Sequence, residues 1–119
     1  MLWDIDRDRE INQIPHSDSW RILESRLATA DMLAIKDRLN EMIDAREIHT
    51  TSWMPGSDWS GTPFQPIFED AAHGNFDLAR KFFGLIVWVV FMERPEKWAF
   101  GRYEKDGVPI EGLTYFQIL

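Results

Sequence analysis

The 119-residue chain has no cysteine. That absence excludes a disulfide framework, thiol catalysis and every thiolate metal site, and it suits a reducing cytoplasm. Long apolar runs are missing too. The longest, Phe82 to Met92, covers 11 residues, against the roughly 20 that a membrane-spanning helix needs. It reads as a buried helix. Residues 1–10, MLWDIDRDRE, are acidic where a signal peptide needs a basic start and an apolar stretch, so secretion is not expected.

Basic residues are scarce. Lysine and arginine number 13 against 20 acids, a formal net charge of −7. No Lys or Arg occurs between Arg46 and Arg80, a gap that carries Glu47, Asp58, Glu69, Asp70 and Asp77. Without a basic stripe, binding of nucleic acid through its phosphates is not expected. Acidity permits a basic partner or a cationic ligand, but solubility alone also accounts for it. An acidic mimic of nucleic acid is disfavoured by the interspersed bases.

The usual marks of catalysis are absent as well. The sequence holds no P-loop, no G-x-G-x-x-G and no G-x-S-x-G elbow. Glu69 and Asp70 are adjacent, so on a helix they point in different directions and make a poor acid–base pair. They do precede His73 by four and three residues, which is ligand spacing, and His49 or Asp58 would complete a mixed N and O donor set. Against this, His73 stands just before Gly74, where a partly positive side chain favours a helix C-terminus. No metal and no cofactor are expected, and a non-enzymatic role is favoured.

What remains is an ordinary globule, 45% hydrophobic and 28% charged, expected to form a single domain over 1–119. Six Trp and eight Phe are a rich supply of rings for core or interface. Residues 1–16 read as an N-terminal arm docking through Trp3 and Ile5. HSDSWRILESRLA then starts a helix, with Ser17 or Asp18 as cap and Trp20, Leu23 and Leu27 on one face. A second apolar stripe runs through Met32, Ile35, Leu39, Met42 and Ile43. Its phase slips near Thr29–Asp31, which predicts either two helices or one broken helix ending near Arg46.

Thr62, Pro63 and Gln65 have capping-box spacing before a short helix that Gly74 ends. Asn75 caps the next helix, 76–94, whose second half is apolar all round and is stopped by Pro95. Gly84 inside it costs about 1 kcal/mol relative to alanine, which suggests that another backbone crosses there. Asp106-Gly107 predicts a two-residue turn and hence a β-hairpin over 98–118. In that register Lys105 faces Val108, Phe100 faces Leu113 and Trp98 faces Tyr115. The expected class is therefore α+β, mostly α: a small helical domain around a buried central helix (76–94), closed by a C-terminal β-hairpin (98–118).

Two function classes fit. The first is a small acidic cytoplasmic interaction or regulatory module with a protein partner or a second copy of itself, since LTYFQIL would form an apolar strand edge that needs covering. The second is a small-molecule binding protein or enzyme with its pocket at the aromatic loop 51–62. There SWMPGSDWSG offers Trp53, Asp58 and Trp59, with His49 just upstream, and a ring beside an acid can hold a cation. In that loop Trp53 is expected to anchor and Trp59 to be the exposed contact.

Overall fold

A computed structural model describes residues 1–45, 59–102, 104–105, 107–109 and 113–118. The two apolar stripes form two helices, α1 (Ser17–Arg26) and α2 (Thr29–Asp44). The break falls where the phase slips, at Leu27 and Ala28, both in extended backbone. Neither helix uses a side-chain cap; α1 instead begins behind His16, whose backbone is left-handed (φ 52°). Leu23 and Leu27 from α1, with Ile35, Leu39, Met42 and Ile43 from α2, are buried. Short apolar side chains at helical spacing thus face one core while the charged positions between them stay in solvent.

After the second apolar stripe the chain re-enters the described region at Trp59. Thr62 carries out a modified capping box: its Oγ1 accepts from the Phe64 N–H at 3.2 Å, while Gln65 Oε1 accepts from the Gly61 N–H at 3.1 Å. The expected short helix is a single π-helical turn, Ile67–Ala71. The Ala72 N–H reaches Ile67 O and the Gly74 N–H reaches Phe68 O, wider loops than an α-helix closes. Helix α3 (Phe76–Glu93) follows directly. The Asn75 side chain accepts from the Leu78 N–H at 3.0 Å, and Arg94, before Pro95, turns to extended backbone (ψ 149°). Ten α3 residues are buried, from Ala79 to Phe91.

Residues 1–16, read from sequence as an arm docking through Trp3 and Ile5, contain two strands. Leu2–Asp4 (β1) and Arg9–Ile11 (β2) pair antiparallel around a turn in which Asp4 Oδ1 accepts from the Asp6 and Arg7 N–H groups. The anchor is Leu2, fully buried, whereas Ile5 lies in the turn and is 56% exposed. β1 also pairs parallel with β3 (Trp98–Gly101), at Leu2↔Trp98, and β3 pairs antiparallel with β6 (Thr114–Gln117). The result is a four-stranded mixed sheet in the order β2-β1-β3-β6, with a separate two-stranded ribbon of β4 (Glu104–Lys105) and β5 (Val108–Pro109).

The predicted pairing at the tip of that ribbon, Lys105↔Val108, is the observed one. At its base the register differs by two: Phe100 pairs with Tyr115 and Trp98 with Gln117, not with Leu113 and Tyr115. The second arm is two residues longer than the first between ribbon and base. An even slip keeps every side chain on its face, so Trp98, Phe100 and Tyr115 still point at α3. Phe91 of α3 stacks on Tyr115, with ring centroids 4.1 Å apart, and meets Trp98 at 4.8 Å.

A polar clamp closes the end of α3. Arg94 donates to Asn40 Oδ1 (2.8 Å) and Asp44 Oδ1 (2.6 Å) on α2 and to Glu96 (2.9 Å). Glu96 in turn accepts from the Trp98 indole at 3.3 Å. The Arg94 bond holds the Glu96 carboxyl below its ordinary range against the opposing effect of partial burial. A carboxylate with a lowered folded pKa contributes stability that is complete above its unfolded value and is lost as pH falls through the folded one. Denaturant melts between about pH 6 and about pH 3 should therefore show stability falling with acid, and Glu96→Gln should flatten that fall while starting lower near neutrality. Arg94→Met, which strands three acceptors, should lower stability by about 1–3 kcal/mol at neutral pH.

Candidate functional site

Of the four residues singled out as a binding cluster, His49, Trp53 and Asp58 lie outside the described residues. Trp59 is described, and it is not the exposed contact expected of it. Only 3% of its surface is accessible. Both the Thr62 N–H and the Thr62 hydroxyl bond back to Trp59 O, at 3.1 and 2.7 Å, folding the chain so that the indole turns inward. Its ring lies 6.0 Å from those of Phe76 and Phe83, and Phe64 meets Phe83 edge-on at 5.4 Å. A large ring beside a tight turn is more stable under α3 than in water, and here that outweighs any use in recognition.

The surface that the fold leaves open is at the other side of the sheet. Lys97, just before β3, Phe116 on β6 and Trp3 on β1 carry this surface. The Trp3 indole donates to Asp8 Oδ1 at 3.2 Å, and the Lys97 ammonium sits 3.9 Å over its ring. Between them lies a shallow depression of about 240 Å³ lined by Trp3, Ile5, Asp8, Lys97 and Ile118. Phe116, 36% exposed, extends the apolar surface to the edge of the sheet.

That edge is β6. The Ile118 N–H donates to Lys97 O at 2.9 Å, which fixes the alternation along the strand. The backbone groups of Thr114, Phe116 and Ile118 face β3, and those of Tyr115 and Gln117 face away from it. Among the described residues no strand pairs with this outer side. The opposite edge is different: β2 carries Arg9 and Glu10, both exposed, the charged flank that usually discourages further pairing. From Leu113 to Leu119 the chain has no charge.

Catalytic groups do not converge in the described part. No cluster of three or more His, Asp or Glu residues there is placed to hold a metal. Burial pushes the Tyr115 phenol well above its ordinary range, so it stays protonated and can only donate or accept a hydrogen bond. The apolar edge was visible in LTYFQIL; what sequence reasoning missed was β1, which covers the inner side of the hairpin. No helix among the described residues is long and apolar enough to cross a membrane.

Removing the Trp59 ring should leave a cavity among Phe64, Phe76 and Phe83. Trp59→Ala is therefore expected to cost about 3–5 kcal/mol in a urea melt, and acrylamide should barely quench the Trp59 component of the emission. Comparison with protein-family models, with curated proteins and with solved structures finds no match for this chain.

Proposed function

We propose that this chain is a non-enzymatic interaction module of the cytoplasm that works as a homodimer joined through β6. The reading takes α3 as the central element and 98–118 as one long hairpin, inner strand against β1 and outer strand open. The observation that carries it is the asymmetry of the two sheet edges: charged at β2, uncharged and apolar at β6.

Two copies can meet there about a two-fold axis through Phe116. Tyr115 of one copy then pairs with Gln117 of the other, and both residues point their backbone N–H and C=O groups outward. Phe116 faces its own copy at the closely spaced, non-hydrogen-bonded position, where an aromatic pair adds stability. An isologous contact of this kind is self-complementary by construction. Each chain carries a charge of −7, so like-charge repulsion opposes association almost everywhere else. The neutral edge is where that cost is lowest; Phe116 supplies apolar area within β6, and Ile118 and Ile5 add to it beyond the strand.

Ultracentrifugation at high micromolar concentration should show a dimer. Gln117→Pro removes an outward donor without touching the β3 ladder, and Phe116→Lys places a charge on the edge. Both should give monomers whose melting temperature, extrapolated to low concentration, matches that of the unaltered chain. A clean monomer of the unaltered chain at high micromolar concentration refutes the proposal.

A further inference from the structure

We infer that the concavity between α3, the 15–16 segment and the base of the hairpin is a binding site for a small organic anion with an apolar body, a carboxylate above all. Four observations meet there. The first is Gly84. The expectation from sequence was a backbone crossing close to it, yet a Cβ built at Gly84 would meet nothing within 4 Å. A glycine that weakens a half-buried helix position by about 1 kcal/mol without making room for any described neighbour leaves a hollow.

The second is the hollow itself. It holds about 320 Å³ and is lined at its base by Gly84, Leu85, Trp88, Leu113 and Tyr115. That is the small end of the range for ligand pockets, enough for a single aromatic ring on a short chain. Its walls are held firmly. The Trp88 indole donates to Gln13 O at 3.1 Å, and its ring packs edge-on against Phe100 at 4.7 Å.

The third is charge. The rim carries Lys81, Arg102 and His16, and no acid among the described residues lines the site. The Lys81 and Arg102 side chains make no ion pair or hydrogen bond with the described residues. In a chain with 20 acids and 13 bases, two cations over one apolar hollow with no acidic partner among the described residues are unexpected by composition. The other depressions, beside β1–β2 and around Arg94, contain acids among their own lining residues. A cation-rimmed, apolar-floored site selects an anionic head on an apolar body.

The fourth is a polar atom without a partner. The Tyr115 hydroxyl is buried and finds no hydrogen bond among the described residues, and Tyr115 belongs to the wall of this hollow. A buried hydroxyl left alone is costly; this one is closed to solvent, so Tyr115 offers the hollow its ring, and the head group of a ligand is left to the rim cations. Lys81 and Arg102 then define a head-group end, with Gly84, Leu85, Trp88 and the Tyr115 ring receiving the body.

The matched series 4-phenylbutyrate, 4-phenylbutanol and 4-phenylbutylamine tests this by calorimetry and by the NMR shift of the Trp88 indole N–H. The acid should bind saturably at one site per chain and at least about tenfold tighter than the alcohol, the scale of one charge-assisted contact, with the amine weakest. Lys81→Glu and Arg102→Glu, both at exposed positions, should each weaken the acid by about tenfold or more and leave the melting temperature in place. Gly84→Leu fills the hollow from inside and should abolish binding while the helix stays intact or gains stability. Phe116→Lys should bind the acid as the unaltered chain does, which separates this site from the dimer edge. Equal binding of amine and acid, no saturable binding of the acid at millimolar concentration, or undiminished binding in a folded Gly84→Leu variant overturns the inference.

Discussion

An 18-residue helix that cannot be left in water governs this structure. Ten residues of α3 are buried, and from Leu85 to Phe91 every position is. At roughly 25 cal/mol per Å² of apolar surface, exposing any flank of that segment costs more than a single short element can offset elsewhere. The chain therefore has to supply cover on every side. α1, α2 and the π-helical turn provide it on one side, and the aromatic face of β3 and β6 provides it on the other.

Polar groups then fix how the cover is arranged. Apolar contact alone is tolerant of sliding, but Arg94 ties α2, the end of α3 and the start of β3 with directional bonds in a half-wet corner. The Trp88 indole does the same for the segment before α1. These bonds are few and placed at junctions, where a rotation of one layer over another would otherwise be cheap.

Much of the helical half was legible because its signals are local. Asn75, the Arg94-Pro95 pair and the slip near Thr29 each act within one turn of the chain, and each marks a boundary that the structure has. The turn signal in the sequence likewise gave the Lys105↔Val108 pairing that is observed. The base register escaped because it depends on residues inserted farther along one arm, and β1 escaped because it pairs across 96 positions, Leu2 to Trp98, through a three-residue strand with no periodicity to display. The two surfaces divide in the same way. The β6 edge could be read from an uncharged run, whereas the hollow announced itself only as an unexplained glycine, and the ring chosen as a contact, Trp59, was drawn inward by a turn whose hydrogen bonds no pattern of side chains reveals.

The parallel bridge between β1 and β3 also bears on the order in which the molecule assembles. A ribosome delivers the first strand long before the strand it must lie beside. Until about residue 98 has emerged, Leu2 has no slot to enter, and closing so long a loop carries an entropic penalty that later, nearer pairings do not face. The helices, whose contacts are local, can form while the chain is still short. A segment made well before its partner strand is thus among the last to settle, and during synthesis the nascent chain must carry Leu2 without its β3 partner until the sheet closes.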